Sequence, residues 1–120
     1  MSYAAYAGAQ QAAESPRDLE IRAISYITHQ LTEANRPDAD AIGRIRALNG
    51  NVRLWSLLIS DLSAPDNALP ETVKKSYIQI GFFARRASVA ALQARTDLST
   101  LIRINTDILD ALDHQRMATA

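Results

Sequence analysis

The residues able to do chemistry in this chain are few and widely spaced. His29 and His114 stand alone in sequence, and His29 falls on the more polar side of its expected helix. A metal site or an acid–base pair needs such groups gathered with carboxylates or thiolates, and the chain has no cysteine. Asp61 beside Ser60, and Asp107 with Asp110, lie where charges ordinarily sit, near helix ends or on solvated faces. No Gly-rich phosphate loop, zinc-ligand spacing or nucleophile elbow is present, so neither enzyme activity nor a cofactor or metal is expected. Two carboxamides offer chemistry of another kind. At ~100° per residue, Asn51 shares a face with Leu48, Val52, Trp55, Leu58, Ile59 and Leu62. Asn105 sits at the centre of a face made by Leu98, Leu101, Ile102, Ile108, Leu109 and Leu112. A buried amide without partners costs roughly 1–3 kcal/mol. Each amide therefore either satisfies a neighbouring helix across the core and fixes its register, or lines a groove and bonds the backbone of an inserted peptide. Trp55, the only tryptophan, has a matching pair of readings, core residue or interface anchor.

The elements that must position these groups read as helices. Alanine, leucine and isoleucine dominate, and the four prolines fall where helices start or loops run. Tyr3 to Ala13 forms a short segment with Tyr3, Tyr6 and Gln10 on one face; so short a helix must dock to persist. Ser15-Pro16-Arg17-Asp18 is a helix start, with a hydroxyl cap, proline at the first position and a carboxylate three residues after the cap. Its helix runs to about Asn35 with Ala23, Ile24, Ile27, Leu31 and Ala34 inward. A second long helix begins at Asp38 or Asp40 and reaches Leu62. Asn49-Gly50-Asn51 resembles a turn, but apolar positions 41, 45, 48, 52, 55, 59 and 62 keep helical steps through it, which predicts an unbroken helix with Gly50 facing solvent or a close neighbour. Pro70-Glu71 opens a third, to about Arg95, with Val73, Tyr77, Ile80, Ala84, Ala87 and Ala91 inward. Its opposite side carries Lys74, Lys75, Arg85 and Arg86 together with Ile78, Phe82 and Val89, a second apolar face that something must cover. Asp97 caps a fourth helix to about Gln115, and 116–120 form a loose tail. The expected fold is all-α: one domain over 1–120, a small bundle of four main helices plus the short N-terminal helix at 3–13.

A chain of 120 residues buries about two-thirds of its unfolded surface, enough for a core without staples. The absence of cysteine suits a reducing compartment. There is no uncharged apolar run of roughly 18 residues and no basic start with a continuous apolar core, so a cytoplasmic, non-membrane protein is expected. Thirteen bases balance thirteen acids, which gives no whole-molecule reason to expect nucleic acid. Between Leu69 and Arg95, however, five bases face one acid, and from Thr96 onward four acids face two bases. Pairing between those two helices is the simplest expectation.

With these residues in view, the chain resembles the flagellar biosynthesis regulator FlaF family. The resemblance is carried by Glu14-Ser15-Pro16-Arg17-Asp18-Leu19-Glu20, by Ala47-Leu48-x-x-Asn51-x-x-Leu54-Trp55 with Asp61-Leu62, by Asn67-x-Leu69-Pro70, by Arg86-x-Ser88 and by Leu101-Ile102-x-Ile104-Asn105. The chain departs from the family at Val52 and Thr106, where arginine is common, at Phe83, where tryptophan is, and at Ala87, where histidine is. The resemblance implies a small cytoplasmic protein that binds flagellin, acts as its secretion chaperone and positively regulates its synthesis, working alongside the translational regulator FlbT.

On that basis a partner groove is expected near the long helices. Leu54, Trp55, Ile78 and Phe82 would supply apolar contacts, Asn51 and Asn105 would orient the bound segment, and Lys74, Arg85 and Arg86 would form a charged rim, with Tyr3 and Tyr6 as a lid. Flagellin is the expected partner, with FlbT second; no small-molecule substrate or membrane is expected. Two other readings stay open: direct RNA contact through the basic stripe, and a dimer interface on the second apolar face with no client.

Overall fold

The computed structural model describes residues 15–118, which form four helices joined by short loops: α1 (Pro16–Ala34), α2 (Ala41–Ser63), α3 (Glu71–Gln93) and α4 (Ser99–Ala118). Among the described residues there is no strand, and the all-α bundle matches the expectation from sequence. The expected helix at 3–13, with Tyr3 and Tyr6, lies outside the described residues.

Helix starts follow local chemistry. Ser15 Oγ accepts from the Asp18 amide at 3.1 Å while Asp18 Oδ2 accepts from the Ser15 amide at 3.4 Å, so two otherwise orphaned donors are satisfied reciprocally. Asp40, rather than Asp38, caps α2 by accepting from the Gly43 amide at 2.6 Å. Helix α3 begins behind Pro70 with no side-chain cap. Ahead of α4, Asp97 accepts from the Ser99 amide at 3.1 Å, and Asn35 at the end of α1 joins it, donating to Asp97 at 3.0 Å and accepting from the Leu98 amide at 2.8 Å. One asparagine thus ends the first helix and locates the last.

Helix α2 continues through Asn49-Gly50-Asn51 without a break. A Cβ at Gly50 would lie 2.8 Å from Ile27 Cδ1, so the glycine is where α1 comes close. Gly81 does the same for α3: a Cβ there would meet Ile59 Cγ1 and Trp55 Cε3, each at 2.8 Å. Helices α2 and α3 share the broadest contact, α1 packs on both α2 and α4, and α3 and α4 touch only lightly.

The core holds Ile24, Leu31, Leu48, Trp55, Leu58, Leu98, Ile108 and Leu112, all essentially inaccessible. Each contributes roughly 1.5–3 kcal/mol relative to an exposed position. Several expected inward positions are corrected. Ala23, Ala41 and Ile45 are exposed, while Val52, Ile59, Val73, Tyr77, Ile80 and Ala87 are half-buried. The buried line on α3 passes instead through Lys74, Gly81, Ala84, Ser88 and Ala91, because α2 sits against the small residues of that face. Of the expected loose tail at 116–120, the described residues 116–118 are helical instead. Helix α4 reaches Ala118, and Arg116 ties it to Asp18 at 3.1 Å as well as to Asp113.

Two arginines lace the loop between α3 and α4 onto the start of α2. Arg44, buried, donates to the carbonyls of Thr96 at 2.7 Å and Ala94 at 3.3 Å. Arg95 returns the contact, donating to the Ala39 carbonyl at 2.7 Å. The Arg44 bonds satisfy carbonyls just beyond the C-terminus of α3, and the Arg95 bond satisfies one just ahead of α2.

Candidate functional site

The two amides and the tryptophan form one chain of hydrogen bonds through the core. Trp55 Nε1 donates to Asn105 Oδ1 at 2.8 Å, Asn105 Nδ2 donates to Asn51 Oδ1 at 2.8 Å, and Asn51 Nδ2 donates to Ser88 Oγ at 2.9 Å. Ser88 Oγ then donates to the Ala84 carbonyl at 2.7 Å. All four side chains are 0% exposed. The chain links α2, α3 and α4, and in this dry setting each bond is strong while each missing partner would be costly.

This burial corrects the expected contact roles. Asn51, Asn105, Trp55 and Leu54 lie inside the bundle and offer no surface to a partner; the amides bond neighbouring helices, as one of the two sequence readings has it. Ser88 is the member of this chain that the apolar pattern does not mark; the signal for it in the sequence is its place on the line of small buried α3 residues, Gly81, Ala84, Ser88 and Ala91.

Lys74 also leaves the expected rim. Its side chain is buried, with Nζ 3.3 Å from Glu71 Oε1. Ile78 is half-buried and packs against the core. Phe82 and Val89, in contrast, remain 44% and 50% exposed. With Val52 of α2 and Ala90 they line an open groove of about 520 Å³ flanked by Arg85 and Arg86. Of the expected site residues, the structure therefore brings together Phe82, Arg85 and Arg86, with Ile78 one turn away on the same helix.

The lightly packed seam between α3 and α4 opens a second cleft of about 410 Å³, walled by Val73, Tyr77, Ile80 and Ile104. Tyr77 Oη lies 3.4 Å from the Asp107 carbonyl, and burial with nearby Asp107 and Asp110 raises the phenol pKa. The expected pairing of α3 bases with α4 acids is not found: among the described residues no salt bridge joins the two helices.

At the opposite edge of the bundle, Glu20 of α1 meets Asp61 of α2. Burial and the neighbouring Asp61 carboxylate push the Glu20 pKa up to about 7, against the pull of Arg17, whose Nη1 lies 2.7 Å from Glu20 Oε1 and 3.7 Å from Asp61 Oδ2. Asn67 donates to the same Asp61 oxygen at 3.2 Å, while its own carbonyl accepts from the Leu69 amide at 3.0 Å. The arrangement joins α1, the end of α2 and the loop leading into α3.

His29 and His114 are both exposed, and among the described residues no group of three or more histidines and carboxylates could hold a metal. Among those residues, too, no helix is long and apolar enough to cross a membrane.

Comparison with known proteins adds one positive finding. The family model described as flagellar protein FlaF matches residues 2–112, nearly the whole chain. Neither the curated proteins nor the solved structures include a match. The matched span contains the capping box at Ser15, the Asn51–Asn105–Trp55 core chain and the groove at Phe82, and the chain belongs to the FlaF family of flagellar proteins.

Proposed function

We infer that this chain binds flagellin, holding an amphipathic segment of it before export, and that through this chaperoning it supports flagellin synthesis. The observation that carries the reading is the unspent apolar surface of α3: Phe82 and Val89 stay open although the opposite side of the same helix is consumed in the core. A helix apolar on two faces ordinarily has a second partner, and grooves beside helices commonly take the apolar stripe of an amphipathic helix. Family membership supplies the flagellar setting. Free flagellin ends expose apolar faces, and shielding them would limit aggregation and early assembly.

The test is co-elution of the purified chain with full-length flagellin and with flagellin shortened at either end. Full-length flagellin should co-elute, and one of the truncations should not. Phe82→Asp should lose co-elution while its circular dichroism melt stays near wild type, because the ring contributes little to the core. Retained co-elution in that variant would remove the groove from the site. Light scattering across a dilution series separates a client groove from a dimer face: a stable dimer occluding Phe82 would overturn the reading. FlbT belongs to the same reading as a protein acting on the same client, and adding it with and without flagellin distinguishes direct contact from a shared partner.

A further inference from the structure

Zero net charge conceals a division of charge between the two halves of the bundle. From Ala41 to Ser60 and from Thr72 to Gln93 there is not one acid, so the α2–α3 surface around the groove carries bases alone. Arg53, Lys75 and Arg86 are exposed and Arg85 is half-buried, while Arg46 lines a separate cleft between α1 and α2 beside Glu33 and Asp40. None of them forms an ion pair among the described residues. Of the acids of α1 and α4, Asp18 and Asp113 pair with Arg116 and Glu20 pairs with Arg17, while Asp107 and Asp110 form no salt bridge with the α3 bases among the described residues.

An apolar floor with guanidinium walls is selective. A segment presenting apolar side chains bordered by carboxylates would fill the floor and give Arg85 and Arg86 the planar, two-pronged acceptors that arginine matches best. A segment bordered by lysines would bring like charges together as water is expelled, which is costly. Phe82 and Val89 lie seven residues apart on α3, about two turns or ~10 Å, the spacing over which a bound helix offers positions i, i+3 or i+4, and i+7. We propose that the α2–α3 groove is specific for an amphipathic helix whose apolar stripe is edged by Asp and Glu. This rests on the proposed function, since it concerns the same groove and specifies the chemistry of the held segment.

The probe is a fluorescent peptide of about 18 residues, long enough to form helix, with leucines at i, i+3, i+4 and i+7 and glutamates along both edges. Its companion carries lysine at every glutamate. Anisotropy titration should show the glutamate peptide binding at least about tenfold more tightly, and its affinity should fall as NaCl rises from about 50 to about 500 mM. Arg85→Gln with Arg86→Gln should erase the preference, and Arg85→Glu with Arg86→Glu should invert it. The glutamine pair keeps the test valid if the reversed pair melts early. Equal binding of the two peptides, or a preference unchanged by both double variants, would overturn the proposal. So would displacement of the peptide by an oligouridylate or by phosphatidylglycerol vesicles at lower concentration than unlabelled peptide, which would assign the surface to polyanions.

The two readings fail separately. Flagellin co-elution that needs Phe82 but ignores salt and both arginine double variants would sink the acidic-edge proposal and leave flagellin binding standing. Tight binding of the glutamate peptide without any flagellin co-elution would do the reverse.

Discussion

At the scale of single residues, the most consequential groups are those that have no exit to water. Asn105 accepts from the Trp55 indole and donates to Asn51, so Asn105→Leu strands a donor and an acceptor together. The expected loss is about 2–5 kcal/mol, since each unpaired buried group costs roughly 1–3. Ser88→Ala strands only the Asn51 amide, because the Ala84 carbonyl it also serves is a helix acceptor, and should cost about half as much. Urea unfolding of both variants checks the order, and equal losses would mean that the chain of bonds is not directional in its energetics. Glu20 makes a pH prediction. With its folded pKa raised from 4.5 to about 7, the folded protein holds a proton in that window which the unfolded chain releases. Stability from this group therefore rises as pH falls through about 7 and is lost as pH climbs. Asp18 and Asp97, whose pKa values are lowered by Arg116 and by Ser99 respectively, act oppositely and only at acid pH, below about 3.8. Glu20→Gln should thus raise the melting temperature relative to wild type at about pH 8 and change it little at about pH 5; a constant difference across that range would place the proton elsewhere.

At the scale of elements, two glycines allow helices to approach, and their substitutions should diverge. Alanine in a helix is worth up to about 1 kcal/mol over glycine. At Gly50 the new methyl meets Ile27 Cδ1, the free end of a flexible side chain, so Gly50→Ala should fall within about 0.5 kcal/mol of wild type or gain slightly. At Gly81 it meets the Trp55 ring and the Cγ1 of Ile59, which packing and the indole's hydrogen bond hold in place. Overpacking of this kind costs about 1–3 kcal/mol and outweighs the propensity gain, so Gly81→Ala should lose stability. Thermal melts of the pair decide it, and a stabilised Gly81→Ala would show that the α2–α3 crossing is looser than its geometry indicates.

At the scale of the whole molecule, cooperativity depends on how α4 is held. It touches α3 only lightly and is secured through α1, through Asn35 to Asp97, and through Asn105 to the only tryptophan. Because Trp55 lies at the meeting point of α2, α3 and α4, its fluorescence should report loss of the entire fold. Urea transitions followed by tryptophan emission and by far-ultraviolet dichroism are expected to coincide, as in two-state unfolding. An earlier fluorescence transition would mean that α4 peels away before the rest. The division of charge belongs to this scale as well, since neither half of the bundle reveals it alone and a neutral sum hides it.

The order of residues by itself determined the helices. Caps at Ser15 and Asp97, prolines at 16 and 70, and an apolar period strong enough to override Asn49-Gly50-Asn51 are short-range effects, legible wherever they occur. It also marked Asn51, Asn105 and Trp55 as belonging together in kind, and Phe82 and Val89 as surplus to one core. Only the tertiary structure decided which way each surplus was settled. Burial of Leu54, Trp55 and both amides depends on helices 37 to 54 residues distant in sequence, as does the turning of α3 that hides Lys74 and leaves Phe82 in the open. The rotation of a helix about its axis is set by the neighbours packed against it, and a small turn carries a residue at the edge of an apolar stripe from core to surface.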